Sequence, residues 1–266
     1  MLGTSTTPYD LRFNLLGIPV RIHPMFWLVS AILGWQDQHL EWVVLWVGCV
    51  FVSILVHEFG HGLTSKHFRD SPWILLYSMG GLCYSERQGT KAQRLAIVLA
   101  GPGAGFLLFL VVLAVSTILL GITPREHMAL VPSVVGFVPD PEAYLSGIQK
   151  FGRGGMTPNL TYIAYYFLVQ INLLWTFVNL LPIWPLDGGQ ASQIIFSVAD
   201  PRNGVRRNHI LSLVTAGLLA VAAGVRTGDM FLTLFFGFFA FTNYQVLQSM
   251  HTARSMGLGD DDWWRR

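Results

Sequence analysis

The chain has 266 residues, of which 52% are hydrophobic and only 12% charged, and its formal net charge is +2. Soluble domains carry about 25% charged residues, so this composition excludes an ordinary soluble fold and points to an integral membrane protein. The formal net charge of +2 says nothing useful about nucleic-acid partners, and none is expected.

The first dozen residues are largely polar and lack the basic flank and apolar centre of a cleaved signal peptide. The stretch FNLLGIPVRIHP alternates in polarity and carries Gly17, Pro19 and Pro24, which reads as a strand feeding a helix. Six hydrophobic helices follow, at about 24–35, 40–65, 91–120, 161–181, 208–224 and 229–250. The first is short for a bilayer that needs about 20 apolar residues. PWILLYSMGGLCYSE, residues 72–86, is rich in strand formers around Gly80-Gly81 and reads as a hairpin or short sheet. Residues 121–160 form a long connection broken by prolines and glycines, without a pattern that specifies structure. The two cysteines, Cys49 and Cys83, read as buried thiols rather than a disulfide framework. The fold class expected is an all-α polytopic membrane protein of about six transmembrane helices with a small membrane-associated β region.

Charge gives the sidedness. With six spans, the N-terminus, the 66–94 and 183–207 connections and the C-terminus share one side, and that side holds 13 of the 17 lysines and arginines. By the positive-inside rule both termini are cytoplasmic. The tail GLGDDDWWRR fits an aromatic and basic anchor at the membrane surface.

Residues 54–63 read ILVHEFGHGL, and the run 42–56 before the first histidine holds no charged residue. His57 and His61 are four apart, so on a helix they point the same way and can grip one metal ion. Glu58 is rotated by about a third of a turn, within reach of a metal-activated water whose proton a carboxylate can take. The bland alternative is two core histidines with satisfied hydrogen bonds. Ionisable groups at membrane depth are costly unless they serve a function, and this favours the metal.

Two candidates compete for the third ligand. His67 stands at the end of HEFGHGLTSKH, where three-histidine zinc hydrolases place their last ligand. That pattern needs a glycine to break the helix, and this chain has Thr64 there; an unbroken helix carries His67 about 9 Å beyond His61. Asp187 lies in NLLPIWPLDGG, residues 179–189, where Pro182 and Pro185 stop a helix and Gly188-Gly189 permit a tight turn. The second and fourth helices run in the same direction, and each delivers its candidates near its cytoplasmic end. Asp187 is therefore preferred, giving two histidines, one aspartate and a water position, as a catalytic zinc requires. Asn172, Thr176 and Asn179 form a polar stripe down the fourth helix. The first two read as helix–helix hydrogen bonders, whereas Asn179 is placed to donate to a scissile carbonyl.

HEFGH on a membrane helix followed far downstream by NLLPIWPLDGG resembles the site-2 protease family of intramembrane zinc metalloproteases. The resemblance covers about residues 10–190. It implies one Zn2+ held by His57, His61 and Asp187, Glu58 as the general base, Asn179 as a substrate-positioning residue, and Gly80 and Gly81 in a strand region that holds substrate extended. AGPGAG, residues 100–105, is similar to the family's Gly-Pro motif, but Gly105 stands where an asparagine commonly follows; helix packing is the preferred reading of these glycines. Nothing in the chain resembles the PDZ or CBS modules of some relatives.

The organisation that follows is an N-terminal cytoplasmic segment over 1–23, a catalytic transmembrane core over 24–190, two further helices over 191–250 and a short cytoplasmic tail over 251–266. The function implied is an intramembrane zinc endopeptidase that cleaves a transmembrane segment of another protein, in regulated intramembrane proteolysis. By the resemblance the substrate is a membrane-tethered regulator or a signal-peptide remnant, and the setting a bacterial or archaeal cell membrane whose lipid surrounds the chain. The alternative is a metal-binding membrane scaffold or transporter without peptidase activity. Substrate identity and oligomeric state are not legible.

Overall fold

Residues 11–22 form a hairpin rather than the single strand expected, because the two residues at its tip take left-handed backbone angles. The computed structural model describes residues 6–35, 39–78, 80–84, 89–152 and 160–256. Strand β1 (Leu11–Leu15) pairs antiparallel with β2 (Ile18–Ile22), with Leu15 opposite Ile18. The two-residue loop has φ of 53° at Leu16 and 72° at Gly17, the twist that a tight hairpin requires. Lys66 donates from Nζ to the Leu16 carbonyl at 2.7 Å and pins the tip.

Strand β3 (Trp73–Tyr77) lies parallel to β2, and β4 (Gly80–Tyr84) pairs antiparallel with β3, so the sheet order is β1-β2-β3-β4. Period-two patterning explains β2: Ile18, Val20 and Ile22 are buried and Pro19 is exposed. Three consecutive residues of β3, Ile74, Leu75 and Leu76, are fully buried, the pattern of a strand covered on both faces. The sheet core continues into helix α1 (Pro24–Leu33) through Phe26 and into helix α2 (Leu40–His67) through Ile54 and Phe59. This is the short sheet anticipated around Gly80-Gly81.

The structure divides into two compact units. The first comprises Met1–Gly89 with Ala100–Phe177, and the second Thr90–Leu99 with Val178–Arg266. Besides the sheet, α1 and α2, the first unit holds most of helix α3 (Lys91–Leu120), helices α4 (Pro124–Ser133) and α5 (Pro141–Phe151), and most of α6 (Leu160–Leu180). A second apolar cluster joins Phe109 of α3, Leu130 of α4, Phe151 of α5, and Tyr165 and Val169 of α6. The second unit holds α7 (Asp187–Ala199), α8 (Gly204–Ala222) and α9 (Met230–Ser255), with a π-helical turn, Ala223–Thr227, before α9. Its core is built on Ile183, Ala216 and Phe236.

Among the described residues five helices, α2, α3, α6, α8 with its π turn, and α9, are long and apolar enough to cross a membrane. All six of the expected helices form, and the first is the one that falls short of this length. Helix α1 forms, but its ten residues rise about 15 Å against a hydrocarbon core of about 30 Å. The 121–160 connection contains α4 and α5, and α7 occupies much of the 183–207 connection; none of the three was anticipated. The tail expected to anchor at the surface falls, from residue 257 onward, outside the described residues.

Candidate metal centre

Helix α2 runs unbroken from Leu40 to His67, and its four-residue repeat aims the imidazoles of His57 and His61 at one point. Their Nε2 atoms are 3.2 Å apart, with ring planes inclined at 79°. Two nitrogens each about 2.05 Å from one tetrahedral metal would stand about 3.3 Å apart, so the pair already has ligand spacing. Both rings and Glu58 are buried.

Glycines let the neighbouring elements close on this helix. A Cβ built at Gly81 of β4 would lie 2.6 Å from Oε1 and 2.5 Å from Cδ of Glu58. A Cβ at Gly101 of α3 would lie 2.8 Å from Cδ2 of His61 and nearer still to its Nε2, and one at Gly60 would lie 2.8 Å from the Ala100 carbonyl carbon. The two helices thus meet through glycine backbone directly beside the histidines, as small residues allow in membrane proteins. The packing role preferred for the 100–105 glycines is the one Gly101 fills. Gly105 is buried further along α3, where a Cβ would come within 3.0 Å of Thr176 Oγ1 and 3.9 Å of His57 Nδ1. Gly80 has an open surround by comparison, with Trp175 at 3.9 Å.

On α6, Asn172 donates from Nδ2 to Ser53 Oγ at 2.9 Å and to the Leu168 carbonyl at 2.8 Å. Ser53 is one turn before His57, so Asn172 is a helix–helix hydrogen bonder on the face of α2 that carries His57. Thr176 Oγ1 is buried with no hydrogen-bond partner among the described residues. His67 is the last residue of α2 and is exposed; the helix passes through Thr64 without the break that would turn this histidine back toward His61.

In the second unit, Asp187 is the first residue of α7 and is buried. A carboxylate in a helix's first turn is stabilised as the anion by the unsatisfied N–H groups there. A Cβ at Gly188 or Gly189 would overlap the backbone of Leu180–Leu181 or Ile183–Trp184, so both glycines are needed for the start of α7 to fold against the preceding loop. Asn179 is buried near the end of α6. The His57–Glu58–His61 grouping was legible from motif spacing, whereas Asp187-Gly188-Gly189, read as a tight turn, form the opening of helix α7, where the glycines allow close packing on the preceding loop. Gly60 and Ser53 were missed as contributors, and Gly101 was read as a packing glycine without its partner, His61.

Residues 46–223 match the family described as "Peptidase family M50". The chain is 27% identical over 194 residues to a zinc metalloprotease of Methanocaldococcus jannaschii, covering 71% of this chain and 46% of that protein. It is 26% identical over 205 residues to stage IV sporulation protein FB of Bacillus subtilis, covering 75% of this chain and 54% of that one. The chain therefore spans about half the length of these curated relatives. A solved structure, the site-2 protease from Methanocaldococcus jannaschii, superposes with a TM-score of 0.54 at 24% identity, covering 90% of this chain and 95% of that one, and shows a shared fold. With the family match extending over two-thirds of its length, this membrane-helical chain belongs to peptidase family M50, the site-2 protease family.

Proposed function

We propose that this protein is an intramembrane zinc endopeptidase that cleaves a transmembrane segment of another membrane protein. The observation that carries the reading is the convergence of the two Nε2 atoms at 3.2 Å with a buried glutamate on the residue between them. His57, His61 and Asp187 offer two imidazoles and one carboxylate, a donor set that suits zinc and leaves a fourth position open. Zinc bound by these residues supplies Lewis-acid activation of water and of the scissile carbonyl.

The other roles belong to the chain. Glu58 removes the proton from the attacking water with a carboxylate oxygen and returns it to the departing amide nitrogen. Asn179 donates from its amide to the substrate carbonyl. Strand β4 is the outer strand of the sheet, and among the described residues nothing pairs with its far edge. A transmembrane helix must unwind before a peptide bond can be attacked, and an edge strand captures the unwound backbone. Gly80 and Gly81 keep that edge free of side chains, and Gly81 brings it against the base. We assign this work to a core over 24–190, with the further helices over 191–250 outside it. The substrate class is a membrane-tethered regulator or a signal-peptide remnant.

The basic connections 66–94 and 183–207 and both termini face the cytoplasm in this reading. The parallel β2–β3 pairing supports it for the N-terminus, since β3 lies within the 66–94 connection; the chain between Ile22 and Leu40, short as α1 is, then makes the return to the far end of α2 that the sixth crossing requires. The test is cleavage of a single-span substrate reconstituted with the purified chain. Glu58→Gln abolishes cleavage while bound zinc stays equimolar; cleavage retained by that variant rejects the mechanism. Zinc binding by the wild-type chain with no cleavage of any helical substrate favours a metal-binding scaffold instead.

A further inference from the structure

The loop between α6 and α7, residues 181–186, carries two prolines and has few backbone donors with which to hold itself. Within the loop, Ile183 N–H reaches the Leu181 carbonyl at 2.7 Å and Leu186 N–H the Ile183 carbonyl at 2.8 Å. Gln190, in the first turns of α7, donates from Nε2 to the Pro185 carbonyl at 3.1 Å. The remaining groups of Pro182 and Trp184 are met from α8 and α9. Trp184 N–H donates to Ser212 Oγ at 2.9 Å, and the Ser212 hydroxyl donates to the Pro182 carbonyl at 3.3 Å. Asn243 donates from Nδ2 to the Trp184 carbonyl at 2.8 Å and to the Phe239 carbonyl at 2.8 Å.

A third side chain orients the second. Both amide hydrogens of Asn243 are committed to carbonyls, so its Oδ1 is the acceptor in the 2.7 Å contact with His209 Nδ1, and His209 carries its proton there. The His209 ring also meets the Trp184 indole edge-on at 5.9 Å. Asn243 and Ser212 are fully buried and His209 nearly so. Buried amides and hydroxyls in a membrane helix are costly unless they bond, and here they hold one three-residue stretch of loop backbone, Pro182–Trp184.

That stretch ends three residues before Asp187, and the Gly189 backbone packs against its Ile183–Trp184 peptide. The loop and the start of α7 are therefore packed together, and what holds the Trp184 backbone constrains where α7, and with it Asp187, begins. We infer that Asn243, oriented by His209, and Ser212 are positioning residues that hold the loop backbone so that Asp187 presents its carboxylate as a metal ligand. The inference rests on the reading of Asp187 as the third zinc ligand. It gives α8 and α9, which lie outside the assigned catalytic core, a part in the metal centre. Groups that orient a ligand typically change metal affinity about 10- to 100-fold when removed.

A double-mutant cycle on zinc affinity, read by chelator competition on the full-length chain in detergent, tests this. Asn243→Leu keeps the side chain's size and removes its bonds, and Ser212→Ala removes one hydroxyl. Each weakens zinc binding by about tenfold or more in the wild-type background and by little in an Asp187→Asn background, because the ligand they position is already lost. Equal losses in both backgrounds, or unchanged affinity in either single variant while Asp187→Asn does weaken binding, overturn the positioning role. Unchanged affinity in Asp187→Asn itself rejects the ligand reading, and the positioning role with it. Thermal unfolding of the zinc-free proteins separates folding from positioning: if Asn243→Leu does not fold, the milder Ser212→Ala completes the cycle with the same outcomes.

Discussion

Glu58 and Gly81 are in direct contact across the α2–β4 boundary, and the hydrogen in place of a side chain at position 81 is what admits the carboxylate. The proposed base and the strand edge proposed to receive substrate are thus joined by one backbone position. A methyl group added there meets Cδ at 2.5 Å and Oε1 at 2.6 Å, and the glutamate must rotate away. Displacement of a catalytic group by about 1 Å is enough to cost about 100-fold in rate. Gly81→Ala is therefore expected to lower the rate of peptide cleavage by about that factor while the zinc content of the purified protein stays at the wild-type level. Loss of zinc in this variant would place the defect in the metal ligands instead.

Gly101 stands to His61 as Gly81 stands to Glu58, but the consequence differs because His61 is a proposed zinc ligand. A Cβ at 101 overlaps the imidazole and drives Nε2 off the point it shares with His57. Metal sites tolerate ligand displacements of about 0.2 Å. Gly101→Ala is expected to weaken zinc affinity by about 10-fold or more, seen as earlier zinc release to a chelator. Activity falls with occupancy and recovers, at least in part, at high zinc concentration.

The third ligand separates two histidine-rich readings of the same motif. His67→Ala is expected to leave zinc affinity unchanged, since His67 is exposed at the end of an unbroken helix. Asp187→Asn keeps the shape but removes the charge, and is expected to weaken zinc retention by about 100-fold or more. A larger effect at His67 than at Asp187, measured by the same chelator competition, would restore the three-histidine arrangement.

The α4–α5 hairpin carries its own acid sensitivity. Burial alone raises the pKa of Glu126, but hydrogen bonds from Lys150, Thr123 and Ser146 outweigh it and bring the carboxyl down from 4.5 to about 2. A carboxylate with a depressed folded-state pKa contributes stability above its unfolded value, and that contribution is lost as pH falls from about 4.5 toward 2. Amide exchange across α4 and α5 is expected to accelerate over that interval, and Glu126→Gln is expected to be less protected at pH 7 and to show a weaker pH dependence there. Identical exchange profiles for the two proteins would show that the Lys150–Glu126 pair, 2.6 Å apart, contributes nothing to the hairpin.

Legibility varied with the range of the signal. The span helices were readable because each is a run of apolar residues long enough to stand out without partners. Helices α4 and α5 were overlooked because each is only ten or eleven residues and amphipathic. Their local signals were present: Thr123 and Glu126 form a capping box, Asp140 caps α5, and a proline opens each helix. The hairpin at 11–22 was read as one strand because its turn is Leu16-Gly17 rather than a pair such as Asn-Gly, so the reversal has only half of the usual signature.

The sequence by itself determined the membrane character, the helical pairing of His57 with His61, the place of Glu58 beside them and the need for glycines after Asp187. These follow from composition, the four-residue helical repeat and steric rules that act within a few residues. Only the tertiary structure decided which glycine meets which side chain, that Asn172 reaches Ser53 across 119 residues, and that Asn243 reaches the Trp184 carbonyl across 59. Contacts of that kind depend on how helices cross, and a glycine or an asparagine in a helix looks the same from sequence whether it faces lipid, a neighbour or the metal centre.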